Sequence, residues 1–246
     1  MAEAALELDR VWKRYGDQWA VRDLTLALQP GEVFCFLGPN GAGKTTTIKT
    51  MCGLLRPTQG LVRVLGRDLA TDDGRARRRL SYVPDMPFVY DKLTGREFLD
   101  LSRDLYGLPP AEAAADAARL IAAFEMERFI DHLAETYSHG MRQRLAFAGA
   151  LLRRPAALIL DEPMVGLDPR GTRLVKDLLR AEAARGCAVF LSTHTLAIAE
   201  EMADRVGIIR RGELIRCAPL AELRREFSAG VTLEDFFLGI THEDSP

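Results

Sequence analysis

Apolar residues along this chain follow three rhythms in turn. "LELDRVWKRYG" and "VRDLTLALQPGE" alternate apolar with polar positions, the period of a half-buried strand, and Gly16 and Pro30-Gly31 end the two runs. "EVFCFLG" is a nearly unbroken apolar run ahead of a glycine-rich stretch, as expected of a buried parallel strand. A helix is predicted over "KTTTIKTMCGLL", stopped by Pro57, and "GLVRVLG" then returns to strand-like alternation.

From Leu93 to about Leu152 the spacing becomes helical. Thr94 followed by Glu97 is a capping-box pair opening "GREFLDLSRDLYG", and Pro109-Pro110 breaks that helix. The alanine-rich "AEAAADAARLIAAFEM" predicts a second helix and "GMRQRLAFAGALLRR" a third. Beyond them the buried strands "AALILDEP" and "CAVFLSTH" flank a helix over "RGTRLVKDLLRAEAARG". "RVGIIRRGELIRCA" reads as a hairpin around Arg211-Gly212, and "TLEDFFLGI" as a short amphipathic tail helix.

Composition narrows the class without changing this picture. With 246 residues, 48% hydrophobic and 28% charged, the chain can bury a sizeable core as one α/β domain or a core with an inserted subdomain. Lys and Arg total 33 against 35 Asp and Glu, so no global positive field points to nucleic acid. The basic run Arg75 to Arg79 fits a solvated helix face better than a lipid-binding patch. Cys35, Cys52, Cys187 and Cys217 are scattered without a CxxC pair, which suggests free thiols in a reducing cytosol. The acidic N-terminus does not resemble a signal peptide, and no run approaches the roughly 20 apolar residues that span a bilayer.

The chemistry lies in "GPNGAGKT", Gly38 to Thr45, which matches G-x-x-x-x-G-K-[ST] between a predicted strand and a predicted helix. Gly38, Gly41 and Gly43 let backbone N–H groups face a phosphate chain, and the helix start adds its dipole. Lys44 supplies a full charge for the β- and γ-phosphates, and the Thr45 hydroxyl is the expected Mg²⁺ ligand. The strand "ALILD" delivers Asp161, which can hold Mg²⁺ through water, while Glu162 beside it can take a proton from an attacking water. Read alone, an Asp-Glu pair can also simply end a strand in solvent. His194, closing "VFLSTH", can reach a γ-phosphate, although a lone histidine is more often structural.

These motifs, in this order and over nearly the whole chain, resemble the nucleotide-binding subunit of an ATP-binding-cassette (ABC) transporter. "YSHGMRQRLAFAGALLRRPAALILDEPMVGLDP" resembles the family's signature and second phosphate-loop motif at close spacing. The resemblance implies a P-loop NTPase core: a parallel sheet flanked by helices, an N-terminal antiparallel β portion and an inserted helical subdomain. It divides a single domain, 1–246, into a nucleotide-binding core at about 1–87 and 153–218, helices at about 88–152 and a tail at about 219–246.

Carried over by resemblance, Tyr15 stacks on adenine, although it is equally an ordinary strand-end tyrosine. The stretch Asn40, Gly41, Ala42, Gly43, Lys44, Thr45 and Thr46 cradles the phosphates of ATP. Asp161 is the magnesium-linked aspartate, Glu162 the general base, Asp168 the end of the loop linking two active sites, and His194 the γ-phosphate switch. Ser138 and Gly140 would cover the ATP of a partner cassette, the two cassettes packing head to tail. Locally, Ser138 is also a good helix N-cap in its own right.

Three signature positions depart from the family pattern, Tyr137, His139 and Met141, and Asp85 stands where many members carry a magnesium-contacting glutamine. An acid there can still bind Mg²⁺ through water but donates no hydrogen bond. The resemblance further implies a separate membrane permease, a homodimer or a pair with a sister cassette, and a place at the inner face of the cell membrane. Met86 to Phe98 is the candidate permease groove, and "LTGREFLDLSRDLYGL" is most similar to cassettes of bacterial exporters of the multidrug or lipid type. A soluble cassette ATPase with a regulatory or assembly role is the alternative. A nucleic-acid-linked cassette lacks support, since neither a second cassette nor a coiled coil is present.

Overall fold

The computed structural model describes residues 3–227, and the tail helix expected over "TLEDFFLGI" lies outside them. Strands β1 (Leu6–Tyr15), β2 (Gln18–Leu28), β4 (Gln59–Val64) and β5 (Arg67–Asp68) form an antiparallel sheet in the order β2-β1-β4-β5. The second sheet runs β10-β9-β3-β8-β7-β6, from β3 (Val33–Leu37), β6 (Leu80–Val83), β7 (Ala157–Asp161), β8 (Ala188–Thr193), β9 (Arg205–Arg210) and β10 (Glu213–Pro219). Its neighbours pair in parallel except β9 with the antiparallel edge strand β10.

The unbroken apolar runs follow from this position. Every residue of β3, β7 and β8 is buried, because both faces of the sheet are covered. Alternation decides which core each residue joins. Phe34, Phe36, Ile159 and Phe190 point to the layer beneath the antiparallel sheet, while Val33, Cys35, Leu37, Leu158, Leu160, Val189 and Leu191 join the helices on the other side. Phe34 stacks on Phe190 with ring centroids 5.7 Å apart and planes inclined by 13°.

Helix α1 (Lys44–Met51) follows β3 and ends well before Pro57, because Gly53 turns the chain at φ +68°. Between β6 and β7 the chain makes α2 (Gly95–Tyr106), α3 (Pro110–Ala123) and α4 (His139–Leu151). The capping box at the start of α2 forms as the sequence predicts: Thr94 Oγ1 accepts from Glu97 N–H at 3.2 Å, and Glu97 Oε2 accepts from Thr94 N–H at 2.8 Å. Helices α5 (Pro169–Ala184), α6 (Leu196–Met202) and α7 (Leu220–Phe227) complete the described chain. Four elements escape the sequence reading, β6, α6, α7 and the two-residue β5. Strand β6 has only four residues, and the seven-residue α6 carries no side-chain N-cap hydrogen bond.

All four cysteines are free, Cys35 and Cys187 buried and Cys217 exposed. Burial pushes the Cys187 thiol up to about 12, which keeps it protonated and unreactive. No helix among the described residues is long and apolar enough to cross a membrane.

Candidate functional site

The parallel strands β3, β8 and β7 are neighbours, so their carboxyl ends deliver three separate stretches of sequence to one edge of the sheet. The loop after β3, Asp161 and Glu162 after β7, and His194 after β8 meet there. A cavity of about 560 Å³ opens at this edge, and Asn40, Gly41, Gly43, Lys44, Thr45 and Thr46 line it together with Asp85, Asp161 and Glu162.

The loop has this shape because of its glycines. Gly43 sits at φ +107°, and a Cβ there would lie 2.5 Å from the carbonyl oxygen of Ala20, so only glycine fits. Gly41, at φ +80°, meets nothing within 4 Å of a built Cβ. Gly43 is also the N-cap of α1 and offers no side-chain cap, which leaves first-turn N–H groups for an anion. Ala42 is buried; its N–H donates to Pro39 O at 3.2 Å and its carbonyl accepts from Gly212 N–H at 2.9 Å. The loop is therefore anchored to the β9–β10 turn.

Lys44 reaches back over the loop, its ammonium donating to Gly38 O at 2.7 Å and Pro39 O at 3.2 Å. Burial lowers its pKa from the ordinary lysine value, and the charges of Glu162 and Asp161 pull it partly back. Thr45 Oγ1 donates to Asp161 Oδ2 at 3.3 Å, and Ser192 Oγ donates to Asp161 Oδ1 at 2.5 Å. Glu162 has a left-handed backbone, φ +46°, which turns its side chain away from Asp161. Its Oε1 lies 2.9 Å from His194 Nδ1. A carboxylate only accepts, so that nitrogen carries the proton.

The remaining candidate residues lie off the cavity wall. Tyr15 is 50% exposed, with Lys13 Nζ 5.4 Å from its ring centre, and is paired across the hairpin with Gln18. Gln18 and Trp19 line the cavity instead. Nothing in the sequence singled out Trp19; only the hairpin register brings it there. His194 touches the cavity through Glu162 rather than lining it.

Ser138 and Gly140 do not line this cavity. Ser138 caps α4, accepting from Met141 N–H at 3.3 Å. A Cβ on Gly140 would meet only Leu167 Cδ2, at 3.7 Å, so packing within the chain does not require glycine there. Tyr137 is buried beneath them with its hydroxyl donating to Phe129 O at 2.7 Å, and His139 Nε2 stands 3.4 Å from Val165 O. Of the departures, Tyr137 serves the chain's own packing, whereas His139 is exposed.

A loop, a carboxylate pair and a histidine assembled in this order define a nucleotide-hydrolysing cassette. The profile of the ABC transporter family matches residues 21–165, and the chain belongs to that family. It is 40% identical over 227 residues to the daunorubicin/doxorubicin resistance ATP-binding protein DrrA of Streptomyces peucetius, covering 92% of this chain and 69% of that protein. It is 35% identical over 245 residues to the probable multidrug ABC transporter ATP-binding protein YbhF of Escherichia coli (strain K12), where it spans 98% of itself but 42% of the relative. Among solved structures, an ATP-binding subunit of an ABC transporter superposes with a TM-score of 0.90 at 34% identity, covering 96% of this chain and 99% of that one. The ATP-binding cassette MJ0796, solved as a dimer in a post-hydrolysis state with ADP and Pi, superposes at 0.79 with 26% identity, covering 87% and 98%. The chain is an ATP-binding ATPase subunit of the ABC transporter class.

Proposed function

We propose that two copies of this chain close head to tail around ATP and that hydrolysis of this ATP drives export of a small organic cargo through a separate membrane permease. The single observation that carries this reading is the separation of two phosphate-competent elements. Asn40, Gly41 and Gly43 to Thr46 share one cavity with the Asp161–Glu162 pair, while Ser138 and Gly140 do not line it. Gly140 has no use for its missing side chain within the chain, and α4 presents its N-terminus there. A second copy supplies the phosphate that such an element would contact, and the dimeric cassette MJ0796 supports a paired arrangement. ATP then belongs to the contact itself, so its hydrolysis shifts the population towards separated copies.

Within each site, Lys44 and the first turn of α1 hold the phosphates. Glu162 takes the proton of the attacking water, and His194, hydrogen-bonded to it, keeps the carboxylate aimed at that water. Thr45 Oγ1 and Asp161 Oδ2, two hard oxygen donors 3.3 Å apart, fit magnesium, and Asp85 on the same cavity wall could join through water. Held by these oxygens, the ion would supply positive charge against the phosphates. In this reading the cargo site lies in the permease.

Export and the permease rest on the relatives and on one surface. DrrA and YbhF carry names of drug-resistance and multidrug systems. Met86, Phe88 and Tyr90 are 75%, 71% and 49% exposed, and the rings of Phe88 and Tyr90 meet edge to face at 5.2 Å. Such a patch suits a permease helix, which would place the cassette at the inner face of the membrane. Exchange of Glu162 for Gln tests the chemical part: ATP binding stays and hydrolysis is lost. Full turnover in that variant overturns the assignment of the base.

A further inference from the structure

Asp161 and Glu162 are adjacent in sequence yet need different orientations, one towards Thr45 and one towards His194. What keeps them apart lies on the neighbouring strand. β7 and β8 pair in parallel with Asp161 opposite Ser192, and Ser192 is completely buried beside an Asp161 that is 4% exposed. A hydroxyl buried within a strand needs partners. Ser192 Oγ finds two: its proton goes to Asp161 Oδ1 at 2.5 Å, and its lone pair accepts from Glu162 N–H at 3.3 Å. The same N–H also reaches the main-chain oxygen of Ser192, at 3.2 Å.

We propose that Ser192 is a positioning residue for hydrolysis, its single hydroxyl fixing the carboxylate of Asp161 and the backbone turn of Glu162 together. This deepens the reading above and rests on its roles for Asp161 and Glu162. With Oδ1 held by Ser192, Oδ2 is the oxygen that faces Thr45, 3.3 Å away. Rotating the carboxylate away from this geometry strips a buried acceptor of its donor. Glu162 occupies a left-handed conformation at φ +46°, one that non-glycine residues keep only when their surroundings over-determine it. Ser192 holds the N–H of this residue with both its side-chain and main-chain oxygens. The turn in turn carries Oε1 to within 2.9 Å of His194. Ser192 is fully buried and does not line the cavity; it acts through the two carboxylates.

Removing such an outer partner typically costs about 10–100-fold in metal affinity or activity, and that is the drop in kcat expected of Ser192→Ala. ATP turnover is measured against magnesium concentration, ATP affinity is measured in EDTA, and melting curves establish folding. The expected result is a lower kcat and a higher magnesium requirement, with magnesium-free ATP affinity unchanged, and recovery in Ser192→Thr, which keeps the hydroxyl. An unchanged kcat in Ser192→Ala overturns the inference, as does a magnesium-free affinity that falls as far as kcat, which would mean general loosening. If the threonine methyl overfills the strand and lowers the melting temperature, the alanine result decides alone. Glu162→Gln run alongside separates the two levels. Its full turnover would remove the base itself, whereas an inactive Glu162→Gln beside a normal Ser192→Ala removes only the role of Ser192.

Discussion

His194 Nδ1 stands 2.9 Å from Glu162 Oε1, joining the ends of two strands that pair side by side in the parallel sheet. The imidazole is more than half exposed and the carboxylate largely buried, so the pair sits at the rim with its acid end inside. An oriented base is worth roughly 100-fold or more in a proton-transfer step. His194→Ala is therefore expected to lower kcat by about that factor while ATP affinity stays unchanged. Steady-state turnover with equilibrium ATP binding checks this, and an unchanged kcat would show that the contact is incidental.

Gly43 carries a steric prediction. At φ +107° an alanine costs at least ~1–2 kcal/mol in backbone strain. The Cβ would also stand 2.5 Å from Ala20 O, a main-chain atom that cannot swing aside. Gly43→Ala should lower the melting temperature by about 2–8 °C and weaken ATP binding, since the same residue opens α1. Calorimetry with and without ATP reads both effects.

The Lys44 ammonium has a pKa below its ordinary value of 10.5, chiefly through burial. Between the folded value and 10.5 the unfolded chain binds more protons, so the contribution of this group to stability rises with pH through that alkaline window. ATP binding has the opposite sign, because phosphates favour the charged lysine. ATP affinity should therefore begin to fall at a lower pH than an unperturbed lysine would produce. Titration calorimetry across the alkaline range tests it, and a flat affinity up to the ordinary lysine value would show that Lys44 is not desolvated.

Much of this arrangement is legible in the sequence because local signals and global position agree. The glycine loop needs its strand and helix on either side, the capping box at Thr94 and Glu97 needs only four residues, and the β9–β10 hairpin is announced by Arg211-Gly212. Alternation fails in β3, β7 and β8 for a physical reason: both faces are buried, so the period of two survives only as a division between two cores. Strand β6, "LSYV", is too short to show any period and stands directly after the arginines at 77–79. Ser192 looks like any strand serine until the register sets it opposite Asp161. Trp19 likewise lines the cavity through hairpin geometry, whereas Tyr15, which the family resemblance singles out, lies outside the lining.

Light scattering of Glu162→Gln, which should bind ATP without consuming it, reads the pairing of cassettes across ATP. The expected result is the 27.3 kDa monomer without nucleotide, a dimer of twice that mass with ATP and magnesium, and a return to monomer when Ser138→Arg is added. A dimer that forms equally well with Ser138→Arg, or a monomer under every condition, would contradict the shared-ATP contact between two copies of this chain.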